Sequence, residues 1–311
     1  MEFKHIPILR DEIISFLNIN PRGTYVDCTV GGAGHSEKIC EKLNGFGTII
    51  CFDKDEEALE VSKKRLEKFA CKKIFVHSDF HHYKNQLSLL NVEKVDGVLI
   101  DLGVSSYQLD NPERGFSYNK NAKLDMRMDR TSKISAFDVV NFYPKEKLIK
   151  ILFDYGEENF AKKIVSAIID YRNTKKIETT GELVDIINSC VPIKNKIDKA
   201  SVKRVFQAIR IEVNGELENL DRAISDIIDS LNKNGHLCVL TFHSLEDRIV
   251  KNVFKTESTD CICDKRLPIC VCGHRAKIAL PSKKPIVASE EEIKLNSRSK
   301  SAKLRVCEKL F

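Results

Sequence analysis

The residues with the types and spacing to do chemistry begin with "DCTVGGAGHSEKI" (27–39), where the carboxylate of Asp27 precedes Gly31, Gly32 and Gly34 and a helical pattern follows. Three more acids recur along the chain: Asp53, Asp79 and Asp101, each at or just after the end of a short apolar run. A glycine turn between a strand and a helix usually cradles phosphate, and the dinucleotide version reads G-x-G-x-x-G. Here Gly32 and Gly34 are followed by Glu37, so the third glycine is missing.

Ligands of open α/β sheets bind at the carboxyl ends of the strands. Four acids at such ends would repel a pyrophosphate. They suit a phosphate-free ligand that carries positive charge, such as S-adenosylmethionine with its sulfonium and ammonium groups. Asp53 lies 19 residues past Gly34, where a carboxylate can take two ribose hydroxyls. Phe80, next to Asp79, is placed to wall an adenine, and Asp101 to face the methionine end. Any one of these acids reads equally well as a helix N-cap; the set of four, with Asp27 and Gly34 in the turn, favours a cofactor site.

A second constellation is "CICDKRLPICVCGH" (261–274), with Cys261, Cys263, Cys270 and Cys272 in two close pairs and His274 nearby. Four thiolates can surround zinc tetrahedrally. The C-x-C spacing is less usual than C-x-x-C, so a structural zinc and an exposed reduced loop both stand as readings.

The elements that must position these groups follow from hydrophobic patterning. "TYVDCTV" (24–30), "GTIICFD" (47–53), "KIFVHSDF" (73–80), "VDGVLIDLG" (95–103) and "GHLCVLTFH" (235–243) read as buried strands, apolar on both faces. Helical stretches separate the first four, among them "DEEALEVSKKRLEKF", with Ala58, Val61, Leu66 and Phe69 expected on one face. Alternation of this kind predicts an α/β fold with a doubly wound sheet. Residues 107–204 hold no convincing strand and several amphipathic helices, one capped by Thr179 or Thr180. This segment reads as an inserted helical domain, dividing the chain into 1–106, 107–204 and 205–311. A long helix over about 203–232 and a final strand in "SAKLRVCEKLF" complete the expected sheet.

Hydrophobic residues make up 42% and charged residues 31% of the 311, with a net charge of +6. The mild basic excess permits a nucleic-acid partner without requiring one. No run approaches the roughly 18 apolar residues of a membrane span, and the first residues do not form a secretory signal. Eleven cysteines without a leader are expected as reduced thiols or metal ligands, in the cytoplasm.

Longer blocks carry a resemblance. "HIPIL" (5–9), "YVDCTVGGAGHS" (25–36), "DGVLIDLGVSSYQLDNPERGFSY" (96–118), "LDMRMD" (124–129), "YGEENFAKKI" (155–164), "RVFQAIRIEVNGELENL" (204–220), "TFHSLEDRIVK" (241–251) and "SRSKSAKLRV" (297–306) resemble the bacterial 16S ribosomal RNA (cytosine-N4) methyltransferases, the RsmH or MraW family, nearly end to end. The resemblance implies a Rossmann-like S-adenosylmethionine-dependent methyltransferase fold with an inserted α-helical domain. It implies methyl transfer to the exocyclic amine of a cytidine in the decoding region, with 16S rRNA as partner, within the small ribosomal subunit, and neither DNA nor membrane. Its cofactor contacts fall on Ala33, Gly34, His35, Asp53, Phe80, Asp101 and Gln108. His35 and Gln108 come from the resemblance alone, and His35 is expected to contribute backbone more than imidazole, since it opens a helix.

For such a reaction the amine must be oriented and its N–H groups accepted as positive charge grows. Asp101 is the first candidate for that centre, with Ser105 and Ser106 as possible acceptors or merely structural turn residues. His243, directly after a strand, is a candidate to hold the base or take a proton, or else a framework histidine. Arg127 is a candidate phosphate contact, but Asp125 and Asp129 flank it and an internal clasp fits equally. The run 194–210 carries six basic residues and one acid, and Lys199, Lys203 and Arg204 are its candidate RNA contacts. The target base must leave its stack. Two other readings remain: a non-enzymatic RNA-binding or assembly factor keeping the fold, which cofactor binding would exclude, and a small-molecule or DNA methyltransferase, which acceptor assays would exclude.

Overall fold

The computed structural model describes residues 7–197, 199–264, 266–267 and 269–311. It divides into two compact units: the chain up to Gly103 together with Asn219–Phe311, and Val104–Glu218.

The first unit is built on β1 (Thr24–Asp27), β2 (Thr48–Asp53), β3 (Lys72–His77), β4 (Val95–Asp101), β5 (Leu231–Thr241), β6 (Ile278–Ala279) and β7 (Lys303–Lys309). The sheet order is β3-β2-β1-β4-β5-β7-β6. β1 to β5 run parallel, while β7 lies antiparallel to both β5 and β6. This is the expected Rossmann-like methyltransferase fold. Parallel strands need crossovers, and helices Gly34–Leu43, Glu56–Leu66 and Tyr83–Leu89 supply them. Val26, Ile49, Ile50, Val98, Leu99, Ile100 and Val239 are fully buried, as their β-branched, two-sided apolar runs require.

Four sequence expectations change. On helix Glu56–Leu66 the buried face is Ala58, Leu59, Ser62 and Leu66, while Val61 is 45% exposed. The helix expected over 203–232 is two, Ala200–Asn214 and Leu220–Ser230. Gly215, at φ +60, ends the first with its N–H on Ile211 O, a left-handed C-cap that glycine adopts without a Cβ clash. β5 starts at Leu231 instead of 235, and the two-residue β6 has too little pattern to be read in advance.

The second unit is helical, with Ala136–Phe142, Lys145–Asp154, Ala161–Arg172, Thr180–Cys190, Ile193–Ile197 and Ala200–Asn214 as its main helices. Its core gathers Val139, Ile151, Ile164, Ile187, Val205 and Phe206. The last two explain why this unit extends to Glu218, past the boundary expected at 204: helix Ala200–Asn214 buries its apolar face here. Thr179, not Thr180, is the N-cap, in a reciprocal capping box with Glu182.

Candidate active site

The four acids stand where the sequence places them, at or just past the carboxyl ends of β1, β2, β3 and β4, but they do different work. Asp27 is 1% exposed. Its carboxylate accepts the Ser36 hydroxyl at 2.6 Å and the Thr29 amide at 3.1 Å. Burial pushes its pKa up to about 6, against those two hydrogen bonds. It therefore braces the turn from inside and has no surface to offer a ligand.

The turn itself passes through Gly31 (φ +48) and Ala33 (φ +59), and helix Gly34–Leu43 starts with no side-chain cap. A Cβ at Gly34 would lie 2.5 Å from Pro7 Cγ, so only glycine fits. Asp53 holds this turn directly: one oxygen accepts Gly31 N at 2.8 Å, the other Asp55 N at 2.9 Å. Its side chain is partly exposed, and burial raises it to about 6 despite these donors. Glu37, where a third glycine was missing, binds Arg65 at 2.6 Å, and Arg65 Nη1 reaches back to Gly32 O at 2.8 Å. Sequence reasoning missed this clamp. Its only signal was an acid where the dinucleotide motif has glycine.

Asp79 N-caps the short turn Phe80–His82 and contacts His81 Nδ1 at 2.6 Å and Lys54 Nζ at 3.3 Å. Burial opposes its charge, but His81 and Lys54 outweigh that and hold its pKa below the usual carboxylate range. Phe80 is buried, its ring stacked on His81 with centroids 4.5 Å apart. Asp79 thus serves to fix Phe80.

Asp101, like Asp53, keeps part of its carboxyl at the surface. Its amide donates to Thr29 Oγ1 at 2.7 Å, and its carboxyl is 31% exposed. Burial, with Asp27 and Glu246 adding repulsion, pushes it up to about 8. His35 Nε2 lies 3.7 Å from Asp101 Oδ2, so the imidazole, and not only the backbone, of His35 belongs to the site. Asp27, Asp53 and Asp101, all shifted upward around an uncapped helix start, have no lysine or arginine among the contacts described above, and a sulfonium or ammonium group would supply positive charge there.

His243 takes the framework role. It N-caps helix Ser244–Glu257, with Nδ1 accepting Glu246 N at 3.4 Å while Glu246 Oε2 accepts Phe242 N at 2.8 Å. Nε2 lies 3.0 Å from Glu246 Oε1 as an ion-pair contact without hydrogen-bond geometry. Both side chains are buried, which leaves the imidazole little freedom to move a proton elsewhere.

In the helical unit, Ser105 N-caps Ser106–Asp110, and Gln108 is its reciprocal partner: Gln108 N donates to Ser105 Oγ, and Ser105 N to Gln108 Oε1. Ser106 is the first residue of that helix, partly exposed. Arg127 forms the internal clasp: it grips both oxygens of Asp125 at 2.8 Å and reaches Ser132 O. The internal clasp that the sequence offered beside a phosphate contact is present, with the Arg127 side chain 26% exposed. Arg204 is likewise engaged, at 2.8 Å from the fully buried Glu158. Lys199 reaches Asn119 Oδ1 at 2.7 Å but remains exposed, as does Lys203.

All eleven cysteines are unbridged. The Sγ atoms of Cys261, Cys263, Cys270 and Cys272 lie within 4.8 Å of one another. His274 is not among them; its Nε2 contacts Thr256 O at 3.0 Å. No helix among the described residues is long and apolar enough to cross a membrane.

Comparison with known proteins places the chain in a family. The profile of the MraW methylase family matches residues 2–310. The ribosomal RNA small subunit methyltransferase H of Finegoldia magna is 52% identical over 313 residues, covering all of both chains, and that of Clostridioides difficile is 52% identical over 311 residues, again covering both completely. A crystal structure of a methyltransferase homologue from Pyrococcus horikoshii aligns over 97% of this chain and 66% of its own, at 13% identity and a TM-score of 0.44.

Proposed function

The chain belongs to the MraW methylase family, and from that premise we propose how its own residues methylate RNA. It is an S-adenosylmethionine-dependent methyltransferase of 16S ribosomal RNA. The acceptor is the exocyclic N4 amine of a cytidine in the decoding region, presented unstacked, and the reaction takes place in the cytoplasm on RNA held in the small subunit.

The observation that carries the reading is a glycine turn held by Asp53 at Gly31 N, with Asp101, tied to the same turn through Thr29 Oγ1, keeping its carboxyl 31% exposed. Asp53 fixes the turn and keeps lone pairs for ribose hydroxyls. Phe80, held by Asp79, walls the adenine. Ala33, Gly34 and His35 present the helix start, and Gln108 a further polar contact. Asp27 acts only by shaping the turn. When bound, the cofactor supplies an electrophilic methyl on a cationic sulfur. Asp101 holds the cytosine amine by accepting an N–H and takes the proton released as the C–S bond breaks and the C–N bond forms. His35 orients the Asp101 carboxyl. Ser105 and His243 stay in the framework, and Ser106 is a secondary amine acceptor. Lys199 and Lys203 contact phosphate. The four-cysteine cluster has no part in this reaction; a zinc ion there would be structural, because four thiolates leave it no open position.

Small subunits from cells lacking this modification, given labelled methyl donor and the purified protein, test the proposal. Label on the N4 of one cytidine is expected. Label on DNA, on free nucleotides or nowhere would overturn it.

A further inference from the structure

The connection between helix Ser244–Glu257 and β6 is long and lacks a core of its own. Among its described residues from 259 to 277 none is buried. Ile262, Ile269 and Val271 are 54%, 75% and 77% exposed, so among its described residues no buried apolar side chain folds it. Its ends are nevertheless joined, Lys277 N donating to Glu257 O at 2.8 Å. Within this coreless loop four sulfurs converge.

The sulfur spacings identify what would hold them. Cys270–Cys272 is 3.6 Å, Cys261–Cys272 3.9 Å and Cys263–Cys270 4.0 Å. A disulfide requires about 2.05 Å, so these are not bonded pairs. A tetrahedral ion with metal–sulfur bonds of about 2.3 Å has sulfur–sulfur edges of about 3.8 Å. The observed contacts bracket that edge. Backbone amides support the sulfurs as acceptors: Val271 N donates to Cys263 Sγ at 3.3 Å, and His274 N to Cys272 Sγ at 3.4 Å. Amide donors aimed at sulfur stabilise thiolate over thiol, which is the form a metal takes. The carbonyl contact of His274 keeps its imidazole out of the set.

We infer that Cys261, Cys263, Cys270 and Cys272 bind one zinc ion as a closed four-thiolate site, and that this ion is the core around which the 259–277 connection folds. Soft thiolates in a tetrahedron select zinc among abundant divalent ions. The inference does not depend on the methyl-transfer reading.

The full-length protein, purified under reducing conditions and loaded with zinc, is expected to retain one equivalent after gel filtration. Cobalt(II) in its place should give the sulfur-to-metal charge-transfer absorption and strong visible bands of a tetrahedral thiolate site. Cys263→Ser combined with Cys270→Ser should abolish both, while S-adenosylmethionine affinity by calorimetry stays within about twofold, showing an intact sheet. Metal removal should speed proteolytic cleavage between 259 and 277 by at least about tenfold, since the loop folds only with its ion. Substoichiometric zinc in the loaded protein, zinc retained by the double variant, iron in its place, or a disulfide found among the four cysteines would each overturn the inference.

Discussion

Nε2 of His35 lies 3.7 Å from Oδ2 of Asp101, joining the first turn after β1 to the end of β4. The contact brings the imidazole beside a strand-end carboxyl that is 31% exposed. Asp101→Asn keeps the shape and removes the charge. It should lower methyl transfer by at least about a hundredfold, the scale of removing one preorganised electrostatic interaction. Circular dichroism would show the fold retained. Near-normal turnover on small subunits would refute the assignment.

His35→Asn tests the contact from the other side. The imidazole lies 3.7 Å from the carboxyl, so its loss should lower kcat on small subunits by about tenfold, and adding His35→Asn to Asp101→Asn should cost little more than Asp101→Asn alone. A variant that lost stability alone, with kcat unchanged in the folded protein, would mean that His35 is only packing.

Asp53 carries two duties, so Asp53→Ala should show two effects. Two backbone amides lose their acceptor, which costs roughly 1–3 kcal/mol for a buried unsatisfied group. Cofactor affinity should fall about tenfold to a hundredfold besides. Calorimetry on the folded fraction separates the two, and an unchanged dissociation constant would sink the ribose role.

The raised carboxyls give a signed pH dependence. Asp27 and Asp53 sit at about 6 and Asp101 at about 8, above the roughly 3.9 of an unfolded aspartate. The folded chain thus keeps protons that the unfolded chain has released. These groups' contribution to stability is fully present below about pH 4 and declines as pH rises towards 8. A cationic ligand favours the ionised forms, so S-adenosylmethionine should raise Tm more at about pH 8 than at about pH 6. S-adenosylhomocysteine, without the sulfonium charge, should show a smaller rise with pH. Equal pH trends for the two ligands would contradict the electrostatic reading.

The basic run needs separate tests for its members. Lys199→Glu with Lys203→Glu should weaken RNA binding and flatten its salt dependence, by about 0.7 to 0.9 in slope for each phosphate no longer neutralised. Arg204→Glu should instead destabilise the protein, because Glu158 is fully buried and would face a like charge. With Arg204 one-third exposed, roughly 2–3 kcal/mol is expected, below the range for a fully buried pair. RNA binding that survives the double lysine change intact would make the run a solvated surface.

The strand-end acids and the glycine turn were legible because a buried parallel strand is a continuous apolar run and the acid that closes it stands out. What the acids do was not legible. Asp27 and Asp101 both close a strand, yet one is sealed against Ser36, a neighbour in the next helix, and the other stays 31% exposed, a difference made by three-dimensional packing that residue type does not carry. The internal partners of Arg127 and Arg204 were no more legible: residue type alone does not tell that Asp125 and Glu158 bind their guanidinium groups. The break at Gly215 was readable in principle, since glycine beyond an amphipathic run is a common helix stop, but the apolar pattern resumed at Leu220 and masked it.

The joined base of the 259–277 loop bears on how the polypeptide would survive damage. β7, on the far side of the loop, is zipped along β5 from His236–Glu308 to Thr241–Lys303. A single cut within the loop would therefore leave the C-terminal piece gripped by a neighbour strand rather than released. Two pieces made separately would thus share the β5–β7 register as a template on which to reassemble.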